Sequence, residues 1–131
     1  MVTELPAEVL HRLESDEIVW CATVRSDGSP HLTPVWFFYR TDTWWIGSAG
    51  RSTKVRNLSV DGRVSLALQG GGAPVVAEGI ASIHRANFST EIVAGFAGKY
   101  DGWDVTSAEP DDPRVLLEIP VTRWLLAGTV R

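Results

Sequence analysis

The sequence predicts a mainly β domain with added helices (α+β), in which six antiparallel strands form a closed or nearly closed barrel. Three observations lead there. Strand-like runs follow one another through short turns, so neighbours in sequence can pair antiparallel. Helical periodicity is confined to three places: near the start, after the third strand and after the fifth. A parallel α/β sheet would need a helical crossover between most strands, and these are missing. Closing the sheet removes the exposed edges that an open one would leave.

Residues 6 to 15 read as the first helix, because Pro6 suits a first turn and Val9, Leu10 and Leu13 share a face. Residues 18 to 25 read as a strand. The turn Ser26-Asp27-Gly28-Ser29 follows, its Asp-Gly pair being a strong hairpin signal. A second strand runs from about 31 to 40, with the continuous aromatic stretch Trp36-Phe37-Phe38-Tyr39. Thr41-Asp42-Thr43 turns it into a third strand, Trp44 to Ser48, and the three together suggest a meander. Trp44 and Trp45 are adjacent on a strand and therefore face opposite sides, so at most one packs inside the barrel.

Residues 53 to 60 read as a short helix capped by Ser52 or Thr53, with Val55 and Leu58 toward the core. Arg63 to Leu68 alternates as a strand, and Gly70-Gly71-Gly72 turns it into another from about 74 to 84. A helix covers 87 to 100, with Phe88, Ile92 and Phe96 on one stripe widened by Val93 and Tyr100. The acidic segment 101–113 reads as a loop. Arg114 to Ile119 is the last clear strand, and Pro120 implies a break or an edge position before 121–126.

Composition narrows the function. A length of 131 residues suits one domain, taken as 1–131. There is no apolar run long enough for a transmembrane helix and no signal-peptide pattern, so the cytoplasm is the expected compartment. Sixteen acidic against 12 Lys plus Arg, a formal net charge of -4, argues against nucleic-acid and anionic-membrane partners. A single cysteine, Cys21, forms no intrachain disulfide and reads as a buried small hydrophobe. His11, His31 and His84 show no metal-ligand spacing, so no metal is expected. His31, at a strand start, is a candidate ligand contact; His11 and His84 read as surface or capping residues. Glu78 and Glu118 sit inside apolar strands, either on a solvated face or paired with Arg63, Arg114 or Arg123.

Charge is uneven: residues 51 to 63 hold four basic side chains and one acidic, while residues 101 to 112 hold five acids and no base. The basic stretch opens a helix at Arg51-Ser52-Thr53-Lys54. A helix start offers unpaired N–H groups and partial positive charge. Ser52 and Thr53 add hydroxyls, and Arg51 and Lys54 converge if Arg51 lies in the first turn. This is an anion site or, in the plainer reading, a solvated helix with an ordinary cap. Arg56 is two positions from Lys54 and should point elsewhere, toward an acid or another part of a long anionic ligand. Neither nucleotide-binding glycine motif is present. Among six tryptophans, Trp36 and the aromatics after it are the candidate wall of a planar-ligand cleft, or simply core. A redox ligand suits this inventory better than hydrolysis, because such cofactors carry much of their own chemistry.

With these features in place, several stretches resemble the pyridoxamine-phosphate-oxidase-like superfamily of FMN-binding split barrels, in particular its F420 (deazaflavin) dependent reductases. They are Ala22-Thr-Val-Arg-Ser-Asp-Gly-Ser-Pro-His31, Pro34-Val-Trp-Phe37, Ser52-Thr-Lys-Val-Arg-Asn-Leu58, Asp61-Gly-Arg-Val-Ser-Leu66 and Val76-Ala-Glu-Gly-Ile-Ala81, within residues 5 to 126. The resemblance implies a six-stranded split barrel, a homodimer with cofactor sites at the subunit interface, and hydride transfer to or from a conjugated or planar small molecule. It implies that Ser52, Thr53 and Lys54 hold the cofactor phosphate, helped by Arg51 and Arg56. It places the ring near Pro34, Val35 and Trp36, with Gly47, Ser48 and Ala49 beside it. No protein proton donor is evident, which leaves solvent. The extra positives Arg51, Arg56 and Arg63 favour F420, with its longer anionic tail, over FMN. An FMN-dependent flavin reductase or oxidase is the first alternative. A non-catalytic flavin, F420 or tetrapyrrole carrier or sensor is the second. Two departures stand out: Asp61-Gly62 where many relatives have Asp-Pro, and the segment Val121 to Gly128, which lacks the Trp-x-x-x-Arg-Leu ending of enzymes oxidising vitamin B6.

Overall fold

The computed structural model describes residues 4–107 and 111–129. Three helices flank a curled antiparallel sheet: α1 Ala7–Ser15, α2 Thr53–Val60 and α3 Thr90–Lys99. The strands are β1 Ile18–Val24, β2 Pro30–Trp36, β3 Phe38–Arg40, β4 Thr43–Ala49, β5 Arg63–Leu68, β6 Val75–Ile80, β7 Ser82–His84 and β8 Arg114–Ala127. Their order is β2-β1-β5-β6-β8-β4-β3, and β7 also pairs with β8. Mainly β architecture is therefore as expected, with eight strands among the described residues in place of six.

The two extra strands arise from interruptions that leave no mark on hydrophobic pattern. Phe37 divides the second predicted strand and Ala81 divides the fifth. Ala81 spends its N–H on Gly62 O (2.8 Å) instead of on the β8 ladder. The break at Phe37 also overturns the predicted meander. β2 pairs with β1, β3 pairs with β4, and β2 and β3 occupy opposite ends of the strand order. One residue joins these two ends, so the sheet has to curl until its edges meet. Closure is covalent at Phe37 and not through a β2–β4 ladder, which leaves a split beside the end of β2.

Turn chemistry fixes the registers. The Arg25–Ser29 hairpin closes through Arg25 N to Ser29 O (2.8 Å), with Gly28 at φ +89° and Asp27 Oδ1 accepting from both the N–H and the hydroxyl of Ser29. The predicted break at Pro120 is a change of partner within one long strand. β8 pairs with β4 from Arg114 to Pro120, then with β6 from Val121 to Ala127, its register shifting at Glu78/Gly79. α3 begins at Thr90, a little later than predicted. Residues 108–110 of the predicted acidic loop lie outside the described residues.

The barrel interior is lined by Val19, Cys21, Trp44, Ile46, Leu66 and Leu117, with Val55 and Leu58 from α2 and Val9 and Leu13 from α1. Trp44 is fully buried there, and its neighbour Trp45 packs on the opposite side against the α3 cluster of Ile92, Phe96 and Tyr100. Full burial of a ring such as Phe37, at 0% exposure, stabilises by about 2–3 kcal/mol.

Candidate functional site

The turn from β4 into α2 is held by short-range polar contacts. Ser52 caps the helix, its Oγ accepting from Val55 N (3.3 Å) and sharing a 2.9 Å hydrogen bond with the hydroxyl of buried Ser48. Ala49 O accepts from Ser52 N (3.1 Å). Two further bonds fasten the turn to the start of β8: Gly50 N to Pro113 O and Arg51 N to Asp112 Oδ1, each 3.0 Å. The amides of Thr53 and Lys54 donate to no protein group among the described residues. Arg51 precedes the cap and is exposed, so the condition for convergence with Lys54, a place in the first helical turn, is not met.

Lys54 is half-buried. Burial pushes its ammonium below the ordinary lysine value, the nearby Cys21 thiol opposes this, and the positive charge of Arg114 adds to it. No carboxylate among the described residues pairs with it. A half-buried cation with no carboxylate partner among the described residues, beside open helix amides, is an arrangement that could hold an anion. Arg56 points elsewhere, as its spacing requires. It lines a groove of about 590 Å³ with Arg25, Ser26, Thr53 and Asn57. Asn57 donates to Thr23 Oγ1 at 3.0 Å, a buried bond that fixes α2 on β1.

On the other side of the turn lies the split. A cleft of about 340 Å³ is lined by Pro34, Val35, Trp36, Gly47, Trp103 and Arg114, with Ile18 at its side. Trp36 stacks on Tyr100 with ring centroids 4.4 Å apart and planes within 6°. It meets Trp103 edge-on at 5.2 Å and 85°. Trp36 is still 41% exposed, so part of its surface remains available to a ligand. Gly47 is needed for close approach: a Cβ there would collide with Val105 Cγ2. Four of the six predicted ring-wall residues, Pro34, Val35, Trp36 and Gly47, line this cleft. Ser48 and Ala49 instead build the turn. Trp103 and Arg114 are the additions. An aromatic within an otherwise acidic stretch was the one signal that could have found Trp103.

The remaining candidates lie elsewhere. His31 has a buried Nδ1 without a partner among the described residues, on the partly covered side of edge strand β2. Glu78 pairs with Arg123 (3.3 Å) and Glu118 with His84 (2.8 Å), whose ring stacks near Trp45. His84 is therefore a paired strand residue and not a cap. Cys21 is buried, and burial pushes its thiol up to about 11. No cluster of three or more metal-ligating side chains occurs among the described residues, and no helix there is long and apolar enough to cross a membrane.

Known proteins share this architecture. An F420 reductase superposes with a TM-score of 0.72 at 21% identity, covering 92% of this chain and 98% of its own. A conserved hypothetical protein from Mycobacterium tuberculosis gives 0.73 at 25% identity, covering 94% and 84%. HutZ, the heme storage protein from Vibrio cholerae, gives 0.75 at 15% identity, covering 92% of each chain. No curated protein sequence matches. The sequence pattern of the family described as pyridoxamine 5'-phosphate oxidase matches residues 5–127. By that match over nearly its whole length, and by the split barrel that carries it, the chain belongs to the pyridoxamine 5'-phosphate oxidase family.

Proposed function

We propose that this protein is an F420-dependent oxidoreductase acting on a conjugated or planar small molecule in the cytoplasm. The observation that carries the proposal is Lys54, a half-buried cation with no carboxylate partner among the described residues, at the open start of α2 and next to an aromatic cleft. A phosphate would accept from the Thr53 and Lys54 amides and meet the Lys54 ammonium, with the Ser52 cap beside it. Pro34, Val35, Trp36 and Gly47 would bound the ring. When bound, the deazaflavin supplies the hydride. Among the described residues the cleft is lined by no acidic or histidine side chain, and we take solvent as the proton source.

The preference for F420 over FMN rests on the second basic groove. Arg25 and Arg56 lie beyond the phosphate turn, where FMN has nothing left to place and the anionic tail of F420 would run. A neighbouring structure described as an F420 reductase supports this choice. We also propose a homodimer. The outward faces of β2 and β6 present Leu32 at 61% exposure, Ile80 at 51% and Trp36 at 41%. An apolar face of this kind suits a second copy of the chain.

Parallel titration with F420 and FMN tests the proposal. F420 should bind to the wild type, and Lys54→Ala should weaken it by roughly tenfold to a hundredfold, as expected for losing a charged hydrogen bond. Arg56→Ala should weaken F420 more than FMN. Failure of F420 to bind would overturn the proposal. FMN binding alone would make it a flavin enzyme, and tight F420 binding without turnover a carrier.

A further inference from the structure

We infer that Arg114, between Trp103 and Gly47, is a specificity-determining residue that holds a carboxylate on the planar substrate. The inference rests on the proposed cofactor reading for the word substrate, but the subsite itself is read from side-chain geometry.

Arg114 opens β8 and sits opposite Ala49 in the β4 ladder, so the backbone places it beside the phosphate turn. Its stem runs past Gly47: a Cβ at that glycine would lie 3.5 Å from Arg114 Cδ and 3.5 Å from Trp103 Cη2. The guanidinium lies over the Trp103 ring, 5.2 Å from its centroid. Arg114 Nε donates to Ser107 O at 2.7 Å, which fixes the plane of the group. Neither Nη atom has a protein acceptor among the described residues. A guanidinium fork held in plane at its Nε matches a carboxylate in bidentate geometry.

The surrounding charge makes this more than an exposed arginine. The segment beside it is rich in acids, yet those whose bonds are seen serve other groups. Asp104 accepts from the N–H and hydroxyl of Thr106, and Asp112 accepts from Arg51 N. Arg114 is close enough for its charge to lower the pKa of Lys54, an arrangement of like charges that anions would relieve. Phosphate has its place at the α2 start. The second positive group faces an apolar corner made by perpendicular Trp36 and Trp103. That corner fits a flat conjugated body, and the fork beside it fits a carboxylate attached to it.

The test is calorimetric titration with 2-naphthoate and its neutral counterpart 2-naphthamide, on the protein alone and saturated with F420. Wild type should prefer naphthoate by at least about tenfold, the value of one charge-assisted pair. Arg114→Gln should abolish the preference and Arg114→Lys should keep part of it, with near-ultraviolet circular dichroism reporting the fold of each. On the protein alone, Lys54→Gln should leave the preference intact. Equal binding of the two probes, no binding of either, or a preference that survives Arg114→Gln would overturn the inference. So would a preference lost with Lys54→Gln. If F420 does not bind while the naphthoate preference behaves as stated, the cofactor reading fails and the carboxylate subsite stands.

Discussion

Tyr100 lies parallel to Trp36 at 4.4 Å and its hydroxyl simultaneously holds the backbone of the next residue, Phe37. Phe37 is the point where the chain leaves β2 for β3, so its peptide groups have no ladder to join. The Tyr100 hydroxyl accepts from Phe37 N at 2.8 Å and lies 2.7 Å from Phe37 O and 2.8 Å from Glu17 O, either of which takes its proton. Buried main-chain groups need such partners. The residue after α3 thus closes the barrel and sets the angle of the cleft wall together.

Tyr100→Phe separates these two roles. The ring stack survives, but Phe37 N–H is left buried without an acceptor. Stability in urea should fall by about 1–3 kcal/mol, the cost of an unsatisfied buried group. Near-ultraviolet circular dichroism should keep the tryptophan signal of the stacked Trp36. A loss below about 0.5 kcal/mol would mean that water replaces the hydroxyl without penalty.

Thr41→Asn should stabilise the protein. Thr41 and Asp42 are the whole loop between paired Arg40 and Thr43, with φ of 50° and 55°. That is the primed hairpin turn, which favours Asn and Gly. A β-branched residue is strained in this region, and Asn is not. The side chain is exposed and Thr43 Oγ1 bonds only to the Thr41 carbonyl, so no contact is lost. The expected gain is about 0.5–1 kcal/mol by chemical denaturation. An unchanged or lower midpoint would show that the turn relaxes in solution.

Most of the elements were legible because their periodicity is local. Val64, Leu66 and Leu68 alternate inward, Val9 and Leu13 share a helix face, and Ser52 caps α2. The interruption at Phe37 was not legible. A run of aromatics has no period, and the hydroxyl that relieves the break comes from Tyr100, far along the chain. Without that break, two hairpins in a row read as a meander. The site divides the same way. The basic helix start is contiguous in sequence and was found there. The Trp103–Arg114 corner exists only because an irregular segment folds back over Gly47, and spacing carries no trace of that.

Lys99 gives a pH dependence with a definite sign. Its ammonium lies 3.5 Å from the Phe37 ring centroid and 3.5 Å from Leu13 O. Burial pushes its pKa down to about 8 from 10.5, against the opposing pull of Asp16 and Glu17. The folded state therefore releases this proton before the unfolded state does. Between these values the unfolded chain binds more protons, so stability from this group rises with pH and is lost again as pH falls toward 8. Lys99→Met should flatten that rise when urea midpoints are compared across the window. An identical slope in the variant would show that the ammonium is solvated in the folded protein.

Lys54→Met sets stability against binding at the proposed phosphate site. The lysine is desolvated and feels the like charge of Arg114, and both effects disfavour its charged form in the folded protein. Without ligand, the variant keeps the aliphatic stem and sheds the buried charge. Its melting temperature should therefore lie above that of the wild type at neutral pH. With ligand the order should reverse. A cofactor at a hundred times its dissociation constant stabilises the wild type by about 2.7 kcal/mol, and the variant, having lost the cation, should gain little. Thermal melts of both proteins with and without F420 give four values, and the crossing of the two pairs is the expected result. A variant less stable than wild type in the absence of ligand would make Lys54 a structural residue. A charge retained against the stability of the empty protein is explained by what it binds.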